Sequence, residues 1–130
     1  VVEKHGPFDI VLDDGGHTAR QQINSFTALY DALRDDGVFL CEDTHTSYFA
    51  QYKDAGDNVS MVEYAKKLID RLHQPYVGRE AFRRVNQPME EREGQVMASR
   101  FAARTKGIFF YDSVIVFERH VRSEPWMERR

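Results

Sequence analysis

Two short apolar runs, each ending in acids and separated by a helix-like segment, constrain this chain more than any other feature. The first is Phe8-Asp9-Ile10-Val11-Leu12, leading into Asp13-Asp14-Gly15-Gly16-His17. The second is Gly37-Val38-Phe39-Leu40-Cys41, leading into Glu42-Asp43-Thr44-His45-Thr46-Ser47-Tyr48. Strand, helix and strand within about 35 residues read as a βαβ unit, with parallel strands and a right-handed crossover. In an open parallel sheet, ligands gather at the carboxyl ends of the strands. Parallel neighbours would bring Asp14, Glu42 and Asp43 together, with His17 beside them. Three carboxylates in one small space repel unless a cation neutralises them. The pattern points to a hard-metal site next to a histidine, carried on an α/β fold.

The rest of the chain fits that frame. Val1 to Pro7 is a lead-in that ends at the Gly6-Pro7 breaker. Thr18-Ala19-Arg20-Gln21 has the form of a capping box, in which hydroxyl and amide satisfy free N–H groups. Ile23, Phe26, Tyr30 and Leu33 recur at helical spacing and would cover the sheet. Asp35-Asp36-Gly37 reads as the helix stop, with Gly37 as a left-handed cap, and the strand resumes at Val38. Residues 44 to 59 are a polar loop. Ser60-Met61-Val62-Glu63 is a second capping-box pattern. The helix after it presents Val62, Ala65, Leu68, Ile69 and Leu72 on one face and ends near Pro75. Residues 76 to 105 read as short helices broken at Pro88 and near Gly94. Gly107–Tyr111 and Val114–Glu118 flank Asp112-Ser113 as a β-hairpin with a tight turn. The tail from Arg122 is polar and should fray.

Length and charge narrow the function classes. At 130 residues the chain is at most one domain. No run of eighteen apolar residues exists, so no membrane span is expected. The N-terminus lacks a signal-peptide pattern, and Cys41 stands alone in an apolar strand. Both features suit a reducing cytoplasm. Residues 1–59 hold 4 Lys/Arg against 11 Asp/Glu, and residues 60–130 hold 14 against 10. The acidic half carries the proposed metal site. The basic excess is interleaved with acids, as in Glu90-Glu91-Arg92-Glu93, and reads as solvated surface, not a nucleic-acid stripe.

Simpler roles compete for the same residues. Acids after a strand are often helix N-caps, which is the reading for Asp13. Asp9 reads as a cap at the start of its strand. His17 alone would pass for an ordinary helix-start residue. His45 and Tyr48 could line a substrate pocket, or His45 could only hydrogen-bond its loop.

The two acidic motifs together resemble the macrolide-sugar O-methyltransferases of the mycinamicin and demethylmacrocin type. These are class I, S-adenosylmethionine-dependent and magnesium-requiring enzymes of macrolide biosynthesis. Phe-Tyr-Asp-Ser-Val-Ile-Val near the C-terminus is also similar to that family's last two strands. The resemblance covers most of residues 8–48 and 107–119. It implies that Asp14, Glu42 and Asp43 bind Mg²⁺ and that His17 is the general base. The catechol O-methyltransferases have a similar layout with Lys in place of the base. The resemblance also implies a Rossmann-like fold, S-adenosyl-L-methionine as cofactor, and a hydroxyl acceptor on a sugar or other natural product. The family's Gly-rich donor loop has no counterpart here, since Gly15-Gly16 is not G-x-G-x-x-G and belongs to the metal motif. The expectation is therefore the C-terminal part of a methyltransferase domain, lacking the N-terminal cofactor-binding half. The strand Phe8–Leu12 would then be an open edge prone to self-association, making a homo-oligomer one possible state. The alternative is a non-catalytic, truncated methyltransferase-like module acting in protein interaction.

Overall fold

The structure is a computed structural model and describes residues 1–54, 56, 59–78, 83, 85–88 and 99–123. Its elements in chain order are α1 (Val2–His5), β1 (Phe8–Asp13), α2 (Ala19–Leu29), β2 (Leu33–Cys41), α3 (Met61–Leu72), α4 (Arg100–Arg104), β3 (Thr105–Tyr111) and β4 (Val114–Arg119). The four strands form one mixed sheet in the order β1-β2-β4-β3. β1 and β2 are parallel, whereas β4 runs antiparallel to both β2 and β3. The expected α/β architecture, βαβ unit and C-terminal hairpin are all present.

α2 starts as its sequence dictates. The Thr18 hydroxyl accepts from the Gln21 N–H, and the Gln21 side-chain oxygen accepts from the Thr18 N–H, closing the box. Gly16 makes this possible, because a Cβ there would run into the Gln21 amide. The helix ends differently from expectation. β2 begins at Leu33, so Asp35, Asp36 and Gly37 lie inside the strand, and Gly37 is not at positive φ. The reason is a side chain from the far end of the chain. Arg119, 3% exposed, donates from Nη1 to the carbonyls of Tyr30 (3.1 Å), Asp31 (2.9 Å) and Leu33 (2.5 Å). The guanidinium satisfies the carbonyls a glycine cap would otherwise serve.

Gly37 is needed for closeness instead. Phe8 pairs with Leu33 and Ile10 with Val38, so β2 carries extra residues opposite Asp9. A Cβ on Gly37 would sit 3.0 Å from the Asp9 carbonyl oxygen and 3.1 Å from that of Arg34.

α3 is capped by Ser60, whose hydroxyl accepts from the Glu63 N–H at 3.2 Å. The reciprocal half of the expected box is not formed, because Glu63 pairs with Lys66 at 2.7 Å. Ala65 and Leu68 are buried and Val62 packs against the core, as expected; Met61 joins the buried face, and Ile69 is exposed. The polar loop contains two 3-10 turns, Thr44–Tyr48 and Ala50–Tyr52. α4 bears out a short helix late in 76–105, while the break near Gly94 lies outside the described residues. The chain at Arg122 is anchored, not frayed: its guanidinium donates to the Leu72 and Ala102 carbonyls at 3.2 and 3.3 Å. Residues 124–130 lie outside the described set.

The core lies on one face of the sheet. Phe26 stacks on Tyr30 at 4.8 Å and meets Phe117 at 4.4 Å and Phe39 edge-on at 5.4 Å. Leu33, Cys41, Met61, Ala65, Leu68 and Ile115 complete the cluster. Burying each large side chain contributes about 1.5–3 kcal/mol. The other face carries Ile10 and Leu12, 67% and 56% exposed. Leu12 continues through Leu40, Val116 and Phe109 in register across all four strands. β1 is thus an edge strand with a central strand's composition. Among the described residues no helix is long and apolar enough to cross a membrane.

Candidate metal centre

The parallel pairing of β1 with β2 places two acid-bearing strand ends side by side. Asp13 pairs with Cys41, and the Glu42 N–H donates to the Asp13 carbonyl at 3.0 Å. Just past that point, ligand atoms of Asp14, His17 and Asp43 lie within 4.8 Å of one another. His17 Nε2 is 3.7 Å from Asp43 Oδ2. Asp43 is in the left-handed region at φ 53°, which turns its carboxylate back toward the β1 loop. About 3–4 Å separates oxygens around one ion with bonds of about 2.0–2.1 Å. The Asp14 and Asp43 carboxylates therefore need only a small contraction to hold a divalent cation, with the His17 imidazole beside them.

Buried polar groups hold this geometry. The Thr46 hydroxyl, on a side chain 3% exposed, lies 2.9 Å from the His17 carbonyl and 2.7 Å from the Asp43 carbonyl. Gln22, 2% exposed, donates from Nε2 to the Glu42 carbonyl at 3.0 Å, tying α2 to the end of β2. His45 Nδ1 meets the Ser113 hydroxyl and lies 3.9 Å from Asp43 Oδ1. The Thr44 N–H donates to the Ser113 carbonyl at 3.0 Å, so the β3–β4 turn braces the site from behind.

The sequence-predicted residues separate into three groups. Asp14, His17 and Asp43 converge. His45 stands against Asp43. The Glu42 carboxylate lies outside the trio although its backbone is pinned there, and Tyr48 is 74% exposed on the loop. Asp13 is not an N-cap, since Thr18 fills that position. Burial pushes the Asp13 carboxyl above its usual range, opposed by hydrogen bonds from Ser25 and the Gly15 N–H. Cys41 is fully buried and its thiol is pushed up to about 12 by desolvation, as an inert structural cysteine should be. Sequence reasoning missed Thr46, Ser113 and Gln22. Only Gln22 left a signal: it lies four residues before Phe26 on the apolar stripe of α2, where a polar side chain must find a partner.

Two carboxylates at the strand ends suit a hard cation, and an imidazole stands beside them. The α/β fold around this site, with its mixed four-stranded sheet, matches part of a solved structure. The MycE methyltransferase from the mycinamycin biosynthetic pathway, solved in complex with Mg and SAH, superposes with a TM-score of 0.72 over 98% of this chain and 30% of that one, at 24% identity.

No protein-family model matches the chain. It is nevertheless homologous in part to macrolide and sugar O-methyltransferases. It is 40% identical over 77 residues to the 8-demethyl-8-(2-methoxy-alpha-L-rhamnosyl)-tetracenomycin-C 3'-O-methyltransferase of Streptomyces olivaceus, covering 56% of this chain and 20% of that enzyme. It is 37% identical over 78 residues to the L-olivosyl-oleandolide 3-O-methyltransferase of Streptomyces antibioticus, covering 56% and 20%. With the demethylmacrocin O-methyltransferase of Streptomyces fradiae it shares 29% identity over 126 residues, covering 93% and 28%. The chain thus spans under a third of the length of each of these relatives.

Proposed function

We propose that this chain carries the metal-binding and proton-accepting part of an S-adenosylmethionine-dependent O-methyltransferase acting on a sugar hydroxyl. It would correspond to the C-terminal part of the methyltransferase domain. The observation that supports this most is the convergence of Asp14, His17 and Asp43 at the ends of adjacent parallel strands.

Asp14 and Asp43 would hold a Mg²⁺-class ion, with Glu42 as third carboxylate, reached by side-chain rotation from a pinned backbone. A bound cation of this class lowers the pKa of a coordinated hydroxyl and orients it. Mg²⁺ prefers oxygen ligands, which leaves the imidazole of His17 outside its coordination and able to take a proton. Asp43, 3.7 Å from Nε2, stabilises the imidazolium that results. Thr46 fixes both partners through their carbonyls, so proton acceptor and ligand keep one geometry. His45, held by Ser113, and Tyr48 on the loop outside would contact the acceptor. The residues that hold the methyl donor are not assigned to this chain.

Mn²⁺ titration followed by electron paramagnetic resonance tests the metal site. One site is expected, lost in Asp14→Asn and Asp43→Asn. His17→Ala should keep Mn²⁺ affinity yet lower turnover by about 10²–10⁴-fold when the chain is supplied with a cofactor-binding half. Mn²⁺ binding that survives both Asp substitutions would overturn the assignment.

A further inference from the structure

We propose that the same strand ends offer a second coordination mode, selected by the class of the ion. Zn²⁺ is held by Asp14, His17 and Asp43 together, and it occupies the imidazole that a Mg²⁺-class ion leaves free. The binding stands on the geometry alone; that it switches turnover off rests on the O-methyltransferase reading above.

The two modes use different side chains. Mg²⁺ takes oxygen ligands, and the Glu42 carboxylate that would complete its set lies outside the cluster as the side chains stand. What the structure brings within 4.8 Å is one nitrogen and two carboxylate oxygens, one atom each from His17, Asp14 and Asp43. That is a donor set for Zn²⁺, which accepts imidazole nitrogen and carboxylate oxygen alike and uses three protein ligands in its open sites. Bonds of about 2.0–2.2 Å in a tetrahedron place neighbouring donors about 3.3–3.6 Å apart. His17 Nε2 and Asp43 Oδ2 are 3.7 Å apart, close to that spacing without rearrangement. Among the described residues no other group of His, Cys, Asp and Glu gathers three ligand atoms this closely.

The surroundings hold the nitrogen and oxygen donors in register. The Thr46 hydroxyl lies 2.9 Å from the His17 carbonyl and 2.7 Å from the Asp43 carbonyl, so both ligands share one anchor. Asp43 Oδ1 faces His45 Nδ1 at 3.9 Å, which leaves Oδ2 as the oxygen turned toward His17. The Tyr52 ring packs edge-on beside the imidazole, with centroids 6.2 Å apart. Neighbours that orient metal ligands in this way raise affinity. The His17 and Asp43 side chains are 28% and 44% exposed, so an ion reaches them from solvent.

The imidazole is what tells the ions apart. It suits Zn²⁺, whereas carboxylates and water suit Mg²⁺ and Mn²⁺, and Zn²⁺ exceeds Mn²⁺ in affinity for a given set of nitrogen and oxygen donors. His17 therefore adds a bond to Zn²⁺ and none to Mg²⁺. With Nε2 on the ion its lone pair is occupied, and His17 takes no proton from a hydroxyl. The ion that binds more tightly is the one that removes the proton acceptor.

The test is a histidine side-chain ¹H–¹⁵N NMR titration of the chain with Zn²⁺ and, separately, with Mg²⁺, alongside Mn²⁺ paramagnetic resonance. Zn²⁺ is expected to give His17 Nε2 the large shift of a metal-bound nitrogen while His73 stays in place; Mg²⁺ is expected to give no such shift. Zn²⁺ should also displace Mn²⁺ from the chain. His17→Gln and His17→Ala should each weaken Zn²⁺ by about 100-fold or more, beyond the 10–100-fold loss typical of a supporting residue, and Mn²⁺ by less than about three-fold. A His17 ring unmoved by Zn²⁺, Zn²⁺ affinity that survives both substitutions, or Zn²⁺ and Mn²⁺ bound together would each overturn the second mode. The same large shift with Mg²⁺ would overturn the selectivity. Mn²⁺ at Asp14 and Asp43 with His17 indifferent to Zn²⁺ refutes this inference alone. Zn²⁺ on His17 with no Mn²⁺ at the two carboxylates refutes the Mg²⁺-dependent function and leaves a zinc site.

Discussion

Thr46→Val isolates a buried hydroxyl that ties the two sides of the metal centre together. Thr46 is 3% exposed, and its Oγ1 faces the His17 carbonyl at 2.9 Å and the Asp43 carbonyl at 2.7 Å. A hydroxyl has one proton, so the two contacts share one donor and count as about one bond. Valine has nearly the same shape, so no cavity opens. What is lost is the net bond, about 0.5–1.5 kcal/mol, together with desolvation of carbonyls left short, about 1–3 kcal/mol. These overlap, and the expected destabilisation is about 1–3 kcal/mol. For a chain of this size that lowers Tm by about 4 °C per kcal/mol. Circular dichroism melts measure it, with Thr46→Ser as the variant that restores the donor. Because Thr46 orients His17 and Asp43, Mn²⁺ affinity should also fall by about 10–100-fold, the usual cost of losing a supporting hydrogen bond at a metal site. A Thr46→Val chain with an unchanged melt and unchanged Mn²⁺ affinity would refute the idea that this hydroxyl sets the geometry.

The sequence made the parallel strand pair legible because Phe8–Leu12 and Val38–Cys41 are short apolar runs joined by a capped helix, and right-handed crossovers leave few alternatives. The C-terminal hairpin was legible from the Asp112-Ser113 turn between the apolar runs Gly107–Tyr111 and Val114–Glu118. Asp14, His17 and Asp43 were legible because they sit at fixed offsets from strand ends. The end of α2 was not. Its carbonyls are satisfied by Arg119, 86 to 89 residues away, and no local pattern can announce so distant a partner. The side-chain direction of Glu42 was hidden for a related reason: alternation along β2 ends where Asp43 turns to positive φ. Thr46 and Ser113 read as ordinary loop and turn residues, since their partners lie 29 and 68 residues away.

Three further perturbations probe the same framework. Gly37→Ala should destabilise by about 1–3 kcal/mol in urea melts, since its Cβ would press on two backbone oxygens at 3.0 and 3.1 Å that cannot swing aside. An undiminished midpoint would mean that the strand bulge yields. Cys41 and Tyr30 are each pushed up to about 12 by burial, from 9.0 and 10.0. Folding favours their neutral forms, so their contribution is complete below pH 9 and is lost as pH rises from 9 through 12. Urea midpoints should fall across that window, less steeply in Cys41→Ala, and native Cys41 should resist alkylation at pH 8. Rapid alkylation of the folded chain would contradict the burial. The last perturbation concerns Ser113, at φ 66° where the hairpin tip meets the metal loop. Left-handed backbone costs a residue with a Cβ about 1–2 kcal/mol. Glycine removes that cost but adds about 0.5–1 kcal/mol of chain entropy. It also gives up a half-exposed hydrogen bond to His45, worth about 0.5 kcal/mol. The terms nearly cancel, so Ser113→Gly should melt within about 2 °C of the parent. Ser113→Ala keeps the strain and loses the bond. Ser113→Val adds β-branching where it fits worst. The Thr44 N–H to Ser113 carbonyl bond survives in every variant, so the melts read the dihedral and the hydroxyl alone. The expected order of stability is Gly at or above Ser, then Ala, then Val. A valine variant as stable as the parent would show that this position is not held at positive φ, and the hairpin tip could not then brace Asp43 as described.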